Sequence, residues 1–268
     1  MKNIAILGPK NTYSDLCYKK YQEMTGYNLK PHYYNSVRET MKHSIDLAII
    51  PLENTLDGYV QQHMDLIFNS NMKIDAEINM PIIFDYVYKK NAKNLYVQYV
   101  TKNQCLKFVE LYKTYNIIIT DSNVESYNLY LIDPYGAAII PTHLVTTSNK
   151  VIRNEADEPS NYTRFLVLEH KELSLNHYND NQSYKVSLVI TPHHDKPGLL
   201  YNILKAFADE HINLISIMSR PTKKQLGTYH FYIEFMSDKT TYNNVVVILN
   251  NLTADFDINV LGMYQTLQ

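Results

Sequence analysis

The stretch "DEPSNYTRFLVLEH", Asp157 to His170, sets an amide (Asn161), a hydroxyl (Thr163) and a guanidinium (Arg164) at the entrance of an apolar run, Phe165 to Leu168. An unbroken apolar run suits a central strand, and a loop that ends on one is held rigidly. Thr163 and Arg164 are thereby placed where they can face a cleft. The competing reading is a plain turn, because Pro159, Ser160 and Asn161 are ordinary turn residues. Three further stretches bring polar groups to the starts of helical patterns: "GPKNTYS" with Thr12 and Ser14, "PLENTLDGY" with Glu53, Asn54 and Thr55, and "DSNVES" with Ser122 and Asn123. Helix N-termini attract carboxylates and phosphates. Converging loops of this kind point to a small anionic ligand. Taken singly, each hydroxyl or amide is an ordinary helix cap, and Glu53 is either an acid or base or a partner of the helix dipole.

Other chemistries lack their residues. The chain has no G-x-G-x-x-G or G-x-x-x-x-G-K-[ST] loop, and its seven glycines offer little material for a glycine-rich cradle. H-E-x-x-H and G-x-S-x-G are also missing. Cys17 and Cys105 alone build neither a disulfide framework nor a zinc site, so no metal is expected. His193 and His194 in "PHHD" read as imidazoles beside a helix cap rather than as metal ligands. A net charge of -2 without charge blocks gives no footprint for nucleic acid or a membrane surface. The apolar run in "MKNIAILGPK" is too short for a signal peptide, and no run reaches membrane-spanning length. A cytoplasmic protein is the expectation.

The elements that must position these residues follow from pattern. In 268 residues, 45% hydrophobic and 19% charged, two domains or more are expected. Strand-like and helical stretches alternate up to the opening motif: "NIAIL", "LKPHYY", "DLAIIPL", "IIFDYVYK", "LYVQYV", "IIIT" and "YGAAIIP" as strands, with "NTYSDLCYKKYQEM", "SVRETMKHS", "GYVQQHMDLIFNS", "KNQCLKFVELYKTY" and "SNVESYNLYLI" as helices. This order predicts an α/β fold with parallel sheets covered by helices. In such sheets ligands bind beyond the carboxyl ends of strands, where the three loops fall. A polar stretch, about residues 171 to 183, reads as a linker. After it, "YKVSLVIT", "HHDKPGLLYNILKAFADEH", "INLISIMSRP", "GTYHFYIEFM", "TTYNNVVVILNNL" and "INVLGMYQ" spell βαββαβ, a ferredoxin-like domain from about 184 to 268. Its first helix is expected to be capped by Asp195, to carry Pro197 near its first turn, and to bury Leu200, Ile203, Leu204 and Phe207.

Several segments, in order, resemble the prephenate dehydratase family in its single-function form with a C-terminal ACT domain. "LGPKNTYS" is similar to GP-x-GTFS, "IIPLENTLDG" to PiENS-x-eG, "YGAAIIP" to GAAI, and "DEPSNYTRFLVL" to D-x-P-x-N-x-TRF, the most specific of them. "DKPGLLYNILKAFADEHINL" and "SRPTKKQLGTYHFYIEF" resemble the effector-binding parts of the ACT domain. The resemblance covers the chain end to end. It implies a periplasmic-binding-protein-like catalytic domain at 1-175, of two lobes (about 1-78 plus 155-175, and 79-154) with the site in the cleft between them.

The activity implied is loss of water and carbon dioxide from prephenate to give phenylpyruvate. Aromatisation drives that reaction, so no cofactor is implied. Thr163 matches the threonine held to protonate the departing hydroxyl. Thr12, Ser14, Glu53, Asn54, Thr55, Ser122, Asn123, Asn161 and Arg164 are expected around the substrate, with Arg164 on a carboxylate or organising the loop. Phenylalanine is the implied effector, near Pro197, Gly198, Leu199, Leu200, Met218, Ser219, Arg220 and Pro221 of a homodimer or tetramer. Departures from the family pattern are Asn11 for Gly, Tyr13 for Phe, Thr55 for Ser, Asn123 for Thr, Ala156 for Glu and Met218 for Glu. They leave room for loss of feedback and for a non-catalytic amino-acid sensor on the same scaffold; an enzyme of the same kind taking arogenate and giving phenylalanine directly is a further alternative.

Overall fold

A computed structural model describes residues 1–146, 150–173, 182–224 and 226–268. The chain forms two compact units. The first comprises Met1–Ser44, Ile49–Val60 and Asn79–Phe165; the second comprises Ile45–Ala48, Gln61–Ile78 and Leu166–Gln268. Most of the predicted linker, 174–181, lies outside the described residues.

In the first unit, β1 (Lys2–Leu7) pairs in parallel with β2 (Leu29–Tyr34), in register from Lys2–Leu29 to Leu7–Tyr34. Between them runs α1 (Tyr13–Thr25); α2 (Val37–Lys42) follows. The strand β3 (Leu47–Asn54) ends in the "ENT" segment, onto which the short β4 (Gly58–Tyr59) folds back. The helix α3 (Gln61–Phe68) and most of the strand β5 (Lys73–Pro81), next in the chain, belong to the second unit. A separate sheet has the order β10-β6-β9-β7-β8. Its strands are β6 (Phe84–Tyr88), β7 (Asn94–Gln98), β8 (Asn116–Thr120), β9 (Gly136–Pro141) and β10 (Lys150–Ile152). Here β7 lies parallel to β8 and β9, whereas β6 runs antiparallel to β9 and β10 antiparallel to β6. The expectation of purely parallel sheets is thus corrected; antiparallel strands commonly finish one edge of a parallel sheet. All of β9 is buried, as are Phe165 to Leu168 of β11 (Tyr162–Glu169).

The helical stretch at 102–115 is also corrected. It divides into α4 (Tyr99–Gln104) and α5 (Leu106–Leu111), and Tyr99 and Val100 belong to α4 rather than to the preceding strand. Asp157 accounts for the break. Its carboxylate accepts the N–H groups of Leu106 (2.8 Å) and Lys107 (3.0 Å), which starts a new helix after Cys105. The last helix of this unit is α6 (Asn123–Ile132).

In the second unit, β12 (Tyr184–Pro192), α7 (Leu199–Asp209), β13 (Leu214–Pro221), β14 (Tyr229–Ser237), α8 (Tyr242–Leu252) and β15 (Phe256–Leu267) follow the predicted βαββαβ order. The antiparallel order β13-β14-β12-β15 is that of a ferredoxin-like sheet. Val186, Leu188, Ile203, Phe207, Phe235 and Ile248 centre its core. Two details differ from expectation. Gly198, at φ 87°, precedes α7 in place of an Asp195 cap, and no side-chain cap bond forms there. The buried stripe is Leu199, Ile203 and Phe207, while Leu200 and Leu204 are exposed. The strand β5 has no counterpart among the predicted elements. Lys73, Asp75 and Glu77 interrupt its apolar residues, yet it pairs in parallel with β15. Buried Glu77 is answered there by Lys185 (2.7 Å) and Thr266 (3.0 Å).

Candidate active site

Strand alternation decides what β11 presents. Successive side chains point to opposite faces, so Thr163 and Arg164 cannot share one. Thr163 lines a cavity of about 300 Å³ together with Tyr13, Val60, Phe84, Val100, Thr101 and Gln104. It also lines an adjoining cavity of about 270 Å³ with Thr12, Ser14, Ser122 and Asn123. Arg164 instead lines a third cavity, with Glu53, Thr55, Asn79 and Tyr162. There its guanidinium donates to Glu53 Oε2 (3.3 Å) and to the Tyr59 hydroxyl (3.4 Å). The expected substrate residues therefore fall on two faces. Glu53 reaches both, and Thr55 lies on the Arg164 side.

A polar network holds Thr163. Asn54 Nδ2 donates to Thr163 Oγ1 (3.0 Å), to Asn161 Oδ1 (2.8 Å) and to the Tyr162 carbonyl (3.1 Å). Asn54 Oδ1 accepts the backbone N–H groups of Leu56 (2.9 Å) and Asp57 (3.3 Å), which settles which end of the amide is which. Asn161 is buried and donates from Nδ2 to Gln104 Oε1 (2.8 Å). Thr55 Oγ1 closes the loop by donating to the Ser160 carbonyl (3.3 Å) and accepting the Tyr162 N–H (3.0 Å). Because Asn54 approaches Thr163 as a donor, the threonine oxygen accepts and its own proton stays free to turn elsewhere.

The second cavity is built at two helix starts. Thr12 caps α1, donating to the Pro9 carbonyl (3.0 Å) and accepting the Asp15 N–H (3.5 Å). Ser122 caps α6 by accepting the Glu125 N–H (3.1 Å). Capping and cavity lining thus hold together for both residues. The first-turn N–H groups that the caps leave over are donors for an anion. Asn123 Oδ1 accepts from Thr101 Oγ1 (2.8 Å), which leaves its amide nitrogen as the pocket donor where a hydroxyl was expected. Among the described residues no lysine or arginine lines either cavity. The donors that line them are backbone N–H groups, amides and hydroxyls. The first cavity carries the carboxylates of Glu53 and Asp57, and Asp121 lines the second.

Tyr13 spans the two sides of the site. Its hydroxyl donates to the Ile83 carbonyl (2.8 Å) and accepts the Ile83 N–H (2.9 Å), and burial pushes its phenol up, so it stays neutral. The Cys105 thiol is pushed up to about 12 by burial, with Asp157 and Glu155 adding, and is no nucleophile at neutral pH. Among the described residues no cluster of His, Cys, Asp and Glu is arranged to hold a metal. Gln98, Thr101, Gln104 and Asp57 were not foreseen as site residues. Asp57 stands within the quoted "PLENTLDG" segment, whereas Gln104 is hidden at a break in an apparent helix.

In the second unit, Arg220 is already engaged. Its Nε and NH2 donate to the two Asp65 oxygens at 3.0 Å each, and its NH1 donates to Gln61 Oε1 (2.6 Å). Met218 pairs across the sheet with Tyr232, and Ser219 with Phe231. Pro197 and Gly198 form the turn before α7. Among the described residues, the side-chain hydrogen bonds of Arg220 run to Gln61 and Asp65 of α3 rather than to 197–200.

The architecture is mixed α/β, with two capped helix starts beside a held threonine, followed by a ferredoxin-like domain. The chain matches the family model for prephenate dehydratase over residues 4–173 and that for the ACT domain over 188–242. It belongs to the prephenate dehydratase family. It is 30% identical to the prephenate dehydratase of Methanocaldococcus jannaschii, over 96% of this chain and 95% of that one. The crystal structure of prephenate dehydratase from Staphylococcus aureus superposes with a TM-score of 0.80 at 27% identity, covering 98% of this chain and all of that one. The prephenate dehydratase of Arthrobacter aurescens, solved in complex with L-Phe, has the same fold, with a TM-score of 0.81 at 23% identity over 98% of this chain and 90% of that one. These likenesses bear out the periplasmic-binding-protein-like fold with a C-terminal ACT domain.

Proposed function

We infer that this chain is a lyase that converts prephenate to phenylpyruvate, water and carbon dioxide. The observation that carries the reading is the Thr163 hydroxyl, held by Asn54 Nδ2 where two cavities meet. Prephenate has both carboxylates at one end and its ring hydroxyl at the other. The cavities have a matching polarity: helix starts at one end, and the apolar walls of Tyr13, Val60, Phe84 and Val100 leading to Glu53 and Asp57 at the other. Carboxylates settle on the helix starts, and the hydroxyl end is directed away from them. The bond from the ring to its carboxylate breaks, releasing carbon dioxide and sending its electron pair into the ring. The C–O bond at the far end then breaks. The departing oxygen takes the Thr163 proton and leaves as water, and solvent returns a proton to Thr163. The Asn54 N–H steadies the threonine oxygen as its proton departs. Electrons released by decarboxylation end in the ring and the leaving oxygen, so the reaction calls for no electron-sink cofactor.

Arg164, with Glu53 and Tyr59, braces the "ENT" segment from the other face of β11, in line with the loop-organising role considered for it. The catalytic domain is assigned to 1-175, with lobes at about 1-78 plus 155-175 and 79-154, and the ACT domain to 184-268. Phenylalanine is the proposed effector, in a cytoplasmic homo-oligomer. Among the described residues no helix is long and apolar enough to cross a membrane.

The test is prephenate turnover at neutral pH, followed as phenylpyruvate. Thr163→Ala is expected to lower kcat by about 10²–10⁴-fold with prephenate binding nearly intact, the usual worth of a positioned proton donor. A Thr163→Ala variant turning over at the wild-type rate would remove the role assigned to Thr163. Folded wild-type protein that binds prephenate without converting it would favour the sensor.

A further inference from the structure

Asp57 begins a chain of side-chain amides that ends on Thr163. Its Oδ2 accepts Gln104 Nε2 at 2.6 Å. Gln104 Oε1 accepts Asn161 Nδ2 at 2.8 Å, and Asn161 Oδ1 accepts Asn54 Nδ2 at 2.8 Å. That same Asn54 nitrogen donates to Thr163 Oγ1 at 3.0 Å. Each amide has one accepting end and one donating end, so the chain has a direction. A carboxylate only accepts, so Gln104 must offer Asp57 its nitrogen. Gln104 turned round would set its oxygen against the carboxylate and its nitrogen against that of Asn161. Were the whole chain reversed, Asn54 would aim its oxygen at Thr163, and the threonine would spend its proton on it. The observed direction is held by the backbone N–H groups and Gln104 Nε2 (3.4 Å) on Asn54 Oδ1, by Thr55 Oγ1 on Asn161 Oδ1 (3.3 Å), and by Asp57 at the far end. Gln104, Asn161 and Asn54 are buried, which raises the penalty for an amide facing the wrong way.

We propose that Asp57 is a positioning residue that fixes the direction of this amide chain and so keeps the Thr163 proton available to the substrate. The proposal rests on the reaction inferred above. It assigns a task to the acidic position of the "PLENTLDG" segment. Because Asp57 also borders the cavity, action through Gln104 has to be separated from direct contact with substrate.

The experiment measures kcat and KM for prephenate in wild type, Asp57→Asn, Asp57→Glu, Gln104→Leu and the double variant Asp57→Asn/Gln104→Leu, with a thermal melt of each. Asp57→Asn is expected to lower kcat about 10- to 100-fold, the scale of a misplaced catalytic group. KM should stay within about twofold, because action through Gln104 leaves ground-state binding to other groups. Asp57→Glu should recover most of the rate. The double variant should be no slower than Gln104→Leu alone, since both changes interrupt one chain. Wild-type kcat in Asp57→Asn overturns the proposal, as does a rise in KM with kcat preserved. Losses that multiply in the double variant overturn it too, because Asp57 would then act on the substrate directly. If Asp57→Asn fails to fold, Asp57→Ser answers the same question. Absence of turnover in folded wild type would remove the inferred reaction, whereas turnover with an indifferent Asp57→Asn would remove only this proposal.

Discussion

Asn11 adopts φ 65°, the left-handed region that glycine enters freely and asparagine tolerates better than other side chains. The glycine expected at this position and the asparagine found there therefore serve one backbone shape. The shape has a purpose: the Asn11 N–H reaches Asp15 Oδ2 (3.0 Å), and its carbonyl meets His143 Nε2 (2.8 Å). Burial pushes the Asp15 carboxyl up, but Lys19, the Tyr33 hydroxyl and the Asn11 N–H together outweigh it and hold it below its usual value. A depressed folded value makes the contribution of Asp15 complete above the ordinary carboxylate range and lost as pH falls through the folded value. Replacing Asp15 by Asn should cost about 1–3 kcal/mol at neutral pH, the worth of hydrogen bonds to a charged group, and flatten the acid side of the stability curve. Urea midpoints from pH 7 down to pH 3 check this; parallel curves for both proteins would count against it.

At the scale of elements, Gly262 sets how closely β15 approaches β5. A Cβ built there would lie 2.6 Å from the Ile74 carbonyl oxygen and 2.7 Å from Ile74 Cβ. The close approach lets β15 run beside β5, in register from Gln265–Ala76 to Leu267–Ile78, and a register shift at Ser187/Leu188 in the β12–β15 ladder lies opposite it. Gly262→Ala must separate the two backbones. It is expected to destabilise the fold by about 1–3 kcal/mol, as overpacking does, and a thermal melt reads the effect. The face that β11 turns to the cavities is equally an element-scale fact. Moving the strand register by one residue would exchange Thr163 for Arg164 and abolish the site.

At the scale of the molecule, the contact most relevant to regulation joins Arg220 to Asp65. Both side chains are nearly buried, at 13% and 12% exposure, so their charges are poorly screened. Burial pushes the Asp65 carboxyl up, but hydrogen bonds from Arg220 and Lys223 outweigh it and hold it low. Phe68 of the same helix stacks on Tyr232 of β14, with ring centroids 5.5 Å apart. The strand carrying the expected effector residues is thus bound to α3, and α3 continues in the chain from the segment bearing Asn54 and Asp57. An effector that favours one position of β13 would act on α3 through these contacts. Phenylalanine is expected to inhibit prephenate turnover, and Asp65→Ala to weaken the inhibition at least tenfold in effector concentration while leaving uninhibited kcat within about threefold, a coupling of the usual size. Unchanged inhibition in the variant would place the coupling elsewhere.

Local pattern and residue type determined much of this protein. The period of apolar residues marked nearly every helix and strand, because one-faced burial imposes that period on any element that packs. The βαββαβ order was legible for the same reason, and so were the loops with Thr12, Asn54, Ser122 and Thr163, since helix starts and strand ends carry their own residue signatures. What escaped was non-local. Nothing near Glu77 announces that its charge will be met by Lys185 and Thr266 far along the chain. The side of β11 that faces the cavities depends on sheet register rather than on the residues "TRF" themselves. The direction of the amide chain from Asp57 to Thr163 exists only once residues 57, 104, 161 and 54 meet, because a hydrogen bond's sense is a property of partners brought together by folding.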